Sequence, residues 1–426
     1  MTATNIPVGS EAAVLKQLDD KGLFSIYNRD EGDITRLLRG KMPTQANASA
    51  SIRGEQAANM PIVVSQDLTK EAGSEIQIKF VQTVSQRPIM GDKIAIGKGA
   101  GQEIEANRFK IDQVRFPFSV GGKMSQQRTN IKLYDIAKDQ GMSHINRYSV
   151  ENDIIHMAGA RGTRLSNRWA IPLESDEEFS DFIVNPVLAP TRNRSYIATS
   201  SGVQQLYDGS FNEPDAAGKL SIQMLDALQA EIEEMAYPIN PIKFPNDAQA
   251  DSAPIYVLLV TPLQYNQFRQ SNSHLFNQWL SSAQVRSNAN PVFRRDSLLY
   301  GNILISKFND KFVRFTNGST LKYCAAYDTE TESSHTVACG AGYAIDRAIL
   351  VGAQALHVGF GGNTTGTGSF FWEEEKSDFG NRREVVVGMM AGCQKTRFKV
   401  DHGGTLGKQY TDLGVMTIDT LVTGNF

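Results

Sequence analysis

Between Glu75 and Thr163 the spacing of apolar residues switches once, from every second position to every third or fourth, and this limits the shapes the chain can take. In EIQIKF, Ile76, Ile78 and Phe80 share one face; in QVRFPFSV, Val114, Phe116, Phe118 and Val120 do. Alternation of period two between turn residues marks strands buried on one side. The stretch between them, MGDKIAIGKGAGQEIEANRFK, has few large apolar side chains and four glycines, and is expected to form the extended tip of a hairpin. Downstream, Leu133, Ile136 and Ala137, then Val150, Ile154, Met157 and Ala158, fall at helical spacing. A helix continuous from Asn130 to Ala160 would be about 45 Å long at about 1.5 Å per residue. A hairpin protruding directly ahead of a long, half-exposed helix is a shape made to be overlapped by neighbours. It is an unusual core for an enzyme.

Charge and hydropathy remove several function classes. With 43 basic and 46 acidic residues the net charge is −3, which gives no bulk electrostatic case for nucleic-acid or membrane binding. No apolar run approaches the ~20 residues of a membrane helix. The N-terminal MTATNIPVGSEAAV lacks the basic start and apolar stretch of a signal peptide. Cys324, Cys339 and Cys393 are odd in number and lack C-x-x-C spacing, so free thiols and synthesis in a reducing cytosol are expected. A chain of 426 residues has room for two or three core-bearing lobes.

The remaining segments predict an α+β chain. Residues 1–62 contain two short amphipathic pieces, SEAAVLKQL and DITRLL, and then small polar residues, the composition of an arm ordered only by lying on something else. Pro61-Ile62-Val63-Val64 is expected to begin the folded body. A proline-punctuated, loop-rich stretch follows the long helix and carries the acids Glu174, Asp176, Glu177, Glu178 and Asp181. Leu220, Met224, Leu228 and Ile232 predict a second helix, and PIYVLLV a buried strand. Thr261-Pro262 should cap a further helix, with another holding Leu275, Phe276, Trp279 and Leu280. From Leu298 the β-branched runs LLYGNILISKF, YAIDRAILVGAQALHV, REVVVGMM and GVMTIDTLV predict strands, and GFGGNTTGTGS a flexible connection.

No catalytic or ligand-binding motif emerges. His144, His156, His274, His335, His357 and His402 are scattered without metal-ligand spacing. GGTLGK at Gly403–Lys408 is one residue short of a phosphate loop and has Gln409 where a Ser or Thr would hold magnesium, so a plain glycine loop is the better reading. GKGAG at Gly97–Gly101 lacks dinucleotide spacing. No catalytic residue, cofactor or metal is therefore assigned. Charge does separate along the chain. Lys79, Arg87, Lys93, Lys98, Arg108, Lys110, Arg115 and Lys123 outnumber the acids between Glu75 and Gln126, while acids gather at Glu174–Asp181 and Glu373–Asp378. Ordinary surface scatter explains this as well as the alternative. In that alternative a basic hairpin of one copy (Arg87, Lys93, Lys98, Arg108) lies over an acidic patch of the next (Glu174, Asp176, Glu177, Glu373, Glu374), fixing register more than affinity.

Five segments carry a resemblance: MPIVVSQDLTKEAGSEIQIKF (Met60–Phe80), FKIDQVRFPFSVGGKMSQQRT (Phe109–Thr129), HMAGARGT (His156–Thr163), PIYVLLVTPLQYNQFRQ (Pro254–Gln270) and SDFGNRREVVVGMMAGCQKTRF (Ser377–Phe398). In pattern and order they resemble the major capsid proteins of tailed double-stranded DNA bacteriophages, of the HK97-like fold, and in detail the branch in short-tailed, N-four-like podoviruses. The resemblance implies an N-terminal arm over 1–62, an extended E-loop with flanking strands over 63–127, and a P-domain with a spine helix over 128–235. An A-domain would span 236–375, and return strands of the P-domain with the C-terminus 376–426. It implies self-assembly into hexamers and pentamers of an icosahedral shell, in the host bacterial cytoplasm, around the double-stranded DNA genome. Partners would be other copies, a portal protein at one vertex, a decoration protein as a further candidate, and non-specific contact with packaged DNA, with no membrane. The arm is too short to contain the scaffolding segment some relatives carry, so a separate scaffolding protein is implied. Gly141, mid-helix, is expected to let the spine bend as the shell matures; a local packing need is the alternative. Another self-associating virion part (tail tube or baseplate) and a cytosolic enzyme stay open as readings.

Overall fold

The computed structural model describes residues 38–41, 59–65, 73–81, 88–99, 101, 103–128, 132–164, 169–206, 218–244, 255–285, 297–308, 311–362, 369–402 and 407–424. The helix Leu133–Ala158, 26 residues and about 39 Å long, is the spine against which one of two large sheets packs. It stops at Gly159, whose φ of +66° and N–H bond to the Ile155 carbonyl form a left-handed cap. A side chain there would meet the Leu188 carbonyl oxygen at 2.5 Å, so the stop needs glycine twice over.

The two halves of the spine differ. In the first, Ala137, Gly141, Ile145 and Tyr148 form one buried stripe against the strands Asp112–Gly122 and Arg382–Lys395. From Glu151 to Ala158 every residue is buried, including Glu151, Asp153 and His156. A half-exposed helix was expected, and the second half departs from it because distant segments supply partners. Glu151 accepts N–H bonds from Ala170 (2.7 Å) and Ile171 (3.1 Å) and pairs with Lys311 at 2.7 Å. Asp153 pairs with Arg39 at 2.5 Å, and the Ala158 carbonyl accepts from Arg347 at 2.9 Å. Arg347 is itself paired with Asp419 at 2.8 Å, and Lys395, beside Gly159, with Asp412 at 3.2 Å. Buried cations thus close the negative end of the helix dipole, each matched by an acid on a late strand.

The first sheet orders Arg39–Lys41, Ile62–Ser65, Leu356–Phe360, Arg382–Lys395 and Phe370–Ser377, with Asp112–Gly122 also paired to the 14-residue strand Arg382–Lys395. The second orders Gly202–Gln205, Ser195–Thr199, Val415–Thr423, Tyr343–Val351, Tyr256–Val260, Ile303–Lys307 and Leu298–Tyr300. Tyr256–Val260, the expected apolar strand, runs parallel to Ile303–Lys307 with Val257 to Val260 fully buried. Helices Ile222–Glu234, Pro262–Ser271 and Ser273–Val285 add side chains to the core beside it. Thr261 caps the second of these in a capping box with Gln264, as the Thr-Pro pair predicts.

Two expectations need correction. The strand Glu75–Val81 pairs with Ile104–Lys110, Ile76 opposite Phe109, and the second of these strands lies in the stretch read as hairpin tip. Only Phe109 is a large buried apolar group on it, so its alternation is faint in sequence. QVRFPFSV instead joins Arg382–Lys395. The arm also contributes to the body: Leu38 is buried and Arg39–Lys41 runs parallel to Ile62–Ser65. Most of the rest of residues 1–62, and residues 363–368 of the glycine-rich connection, lie outside the described residues.

Candidate inter-subunit surface

The hairpin Glu75–Lys110 has an anchored base and an exposed end. At the base, Ile76, Ile78 and Phe109 join Phe398, Val400 and Leu413 in a separate core cluster, and Phe80 stacks on Phe398 with centroids 4.9 Å apart. A Cβ on Gly359 would come 2.1 Å from the Ile76 Cδ1, so glycine is what lets the hairpin lie on the strand Leu356–Phe360. The Asn185 side chain accepts from the Lys110 N–H (2.8 Å) and donates to the Lys110 and Cys393 carbonyls (2.9 and 3.1 Å). Beyond the base the aliphatic residues turn outward. Val81, Met90, Ile94, Ile96 and Ile104 are all exposed, Ile94 to 72% and Ile96 to 90%. Exposed aliphatic groups on an anchored hairpin are candidates for cover by a partner, and covering each side chain is worth about 1.5–3 kcal/mol.

The charged candidates fall into three states. Lys93, Lys98 and Arg108 lie on this hairpin and are exposed, while Arg87 lies outside the described residues. Glu174 and Asp176 are engaged within their own chain. Glu174 accepts the Arg161 N–H at 2.6 Å and pairs with Lys322 at 3.2 Å, and Asp176 accepts the Leu173 N–H at 3.0 Å. Glu374 bridges Arg383 (3.2 Å) and Lys376 (3.6 Å). Glu177 and Glu373 are exposed. The two acid groups sit at opposite ends of the spine, since Glu174 bonds Arg161 just past its C-terminus and Trp372 meets Tyr134 near its start at 6.5 Å. What the sequence reading missed is the aliphatic end of the hairpin. Its signal was KIAIG, where two isoleucines alternate inside an otherwise polar stretch.

Gly141 sits where the spine touches the sheet. A Cβ there would fall 2.5 Å from the Val387 Cγ2 and 3.2 Å from the Phe118 Cε2, so the helix and strand approach more closely than alanine allows.

Other chemistry is sparse among the described residues. No group of His, Cys, Asp and Glu is placed to hold a metal, and no helix is long and apolar enough to cross a membrane. All three cysteines are buried free thiols, with burial pushing that of Cys393 well up. Burial alone would raise the Asp412 carboxyl, but Arg397 and Lys395 beside it hold it below its ordinary value. A cavity of about 490 Å³ lies between Tyr196, Glu231, Tyr237, Tyr327 and His402. Its buried guanidinium, Arg194, spends donors on the Tyr237 carbonyl (2.7 Å) and the Asp412 carbonyl (3.1 Å).

The phage capsid protein family matches residues 5–423. Among solved structures, the capsid of Ralstonia phage GP4 superposes with a TM-score of 0.69 at 21% identity, covering 99% of each chain. The capsid asymmetric unit of cyanophage Pam1 gives 0.60 at 13% identity over 100% of each chain. The acid-stable capsid of Helicobacter pylori bacteriophage KHP30 gives 0.54 at 11% identity, covering 98% of this chain and 99% of that one. At these identities the likeness is one of fold, the α+β HK97-like fold. No curated protein matches the sequence.

Proposed function

Because this chain belongs to the phage capsid protein family and is a major capsid protein of the phage shell, we propose that its copies tile that shell by laying the hairpin Glu75–Lys110 over a neighbour. One observation carries the reading: five aliphatic side chains stay exposed along the outer part of a hairpin whose base is fastened by a core cluster and Asn185. The contact is heterologous, each copy giving a hairpin and receiving one, and such contacts close into rings. Hexamers and pentamers are the rings an icosahedral shell requires. In domain terms the arm is 1–62, the E-loop 63–127, the P-domain 128–235 with the returning strands of 376–426, and the A-domain 236–375. The chain acts as structure, without catalysis. Assembly takes place in the host cytoplasm around a separate scaffolding protein, with a portal protein at one vertex, room for a decoration protein outside and non-specific contact with packaged DNA inside. The bases Arg87, Lys93, Lys98 and Arg108 set the register of the overlap against Glu177 and Glu373, the acids left exposed after Glu174, Asp176 and Glu374 are used at home.

Electron micrographs of the purified protein, with and without scaffold, test this directly. Closed spherical shells are expected. The double variant Ile94→Ser/Ile96→Ser should keep the wild-type circular dichroism yet form no shells, whereas reversing Lys93 and Lys98 should weaken assembly mainly at low salt. Tubes, discs or a small monodisperse oligomer from the wild-type chain would sink the reading.

A further inference from the structure

Residues 378–381 join the edge strand Phe370–Ser377 to the strand Arg382–Lys395, and they hold an aromatic ring in solvent. Phe379 is fully exposed at φ +50°, between +54° at Asp378 and +80° at Gly380. Left-handed backbone is unfavourable for a bulky L-residue and easy for Gly, Asn or Asp. An Asn at this place would close the same turn without that cost. The loop is held in place nonetheless. The Gly380 N–H donates to the Ser377 carbonyl (3.1 Å), and the Asn381 N–H to the Asp378 carbonyl (2.9 Å). The Lys123 N–H donates to the Asn381 carbonyl at 3.2 Å, and the Asn381 amide to the Asp378 carboxylate at 3.2 Å. A fixed scaffold therefore presents a ring that gains nothing from its own chain. Met124, next to the Lys123 that buttresses the turn, is also exposed, to 60%.

The turn lies at one end of the long strand Arg382–Lys395 and the buried ionic cluster at the other. The strand leading away from it is 14 residues long, about 45 Å at ~3.3 Å each, and ends at Lys395 in the buried ionic cluster. Its rim is mixed in sign, with Asp378 flanked by exposed Lys123 and Arg382. An acid of one copy can thus face a base of the next, the rim chemistry of a specific contact around an apolar centre. We infer that Phe379 is an anchor that seats in a second copy of this chain, a contact separate from the hairpin's aliphatic end. The inference rests on the shell reading above.

Two measurements on the full chain decide it. Phe379→Asn suits the local backbone and removes the ring, so the melting temperature of the unassembled subunit should stay level or rise while the concentration needed for shells rises at least tenfold. The photoreactive p-benzoyl-phenylalanine at position 379, irradiated in shells assembled in cells, should yield a covalent dimer of the capsid chain. Unchanged assembly of Phe379→Asn, a lowered subunit melting temperature, a cross-link to a different protein or no cross-link would each overturn the anchor. Should the wild-type chain form no shell under any of these conditions, the shell reading itself fails and the anchor with it.

Discussion

His156 lies in the last turn of the spine, 1% exposed, and neither ring nitrogen has a hydrogen-bond partner among the described residues. Burial, with Lys395 nearby, lowers its pKa from 6.5 to about 3. Burial likewise lowers His357, bonded to the Thr396 hydroxyl at 2.7 Å, to about 4. Both rings are neutral when folded and take up protons on unfolding once the pH is below 6.5. Their contribution is therefore fully present above that value and is lost as the pH falls toward the folded values. Two such groups give a slope approaching about 2.7 kcal/mol per pH unit near pH 5. Urea titrations of the unassembled subunit across this range should show it. His156→Leu, which replaces a partnerless polar ring with an apolar side chain, should hold or raise stability at pH 7 and remove about half of the slope. A slope unchanged in that variant would mean the ring is solvated when folded.

At the scale of elements the spine and its sheet meet through Gly141. Alanine at 141 gains up to ~1 kcal/mol of helix propensity but pushes into Val387, and overpacking of this kind costs about 1–3 kcal/mol. The expected net effect is a less stable subunit with fewer shells, and Val387→Ala in the same chain should restore both. If that double variant also matures at the wild-type rate, close packing accounts for the glycine and a bending role is unnecessary; slow maturation with normal stability would favour the hinge. The elements themselves were unevenly legible. Tyr256–Val260, the Thr261 cap and the long strand of REVVVGMM could be read because local pattern and local burial agree there. The strand Ile104–Lys110 could not, since one phenylalanine carries its buried face. Nor could the buried second half of the spine, where Glu151 and Asp153 look solvent-facing until Arg39, Lys311 and the loop at Ala170 are brought to them. The candidate surface was legible as a location only. Its basic residues drew the eye, and the aliphatic groups among them needed the fold to be seen as exposed.

Across the whole molecule, Arg39, Glu151, Lys311, Arg347, Lys395, Asp412 and Asp419 bring residues from early and late in the sequence into ion pairs around the last turns of the spine. Removing one member of a buried pair costs about 3–5 kcal/mol, because the other charge stays desolvated. A chain ending at residue 405 lacks Asp412 and Asp419, which leaves Arg347 and Lys395 without their carboxylates and takes from Arg397 the nearer of its two. Such a chain should be recovered as aggregate or protease-sensitive material; a soluble, protease-resistant product would show that the late acids are dispensable. The same arrangement sets a clock on synthesis. A nascent polypeptide reaches the ribosome's exit with its hairpin already made but its last acids still unread, so it cannot settle into a finished tile while translation continues.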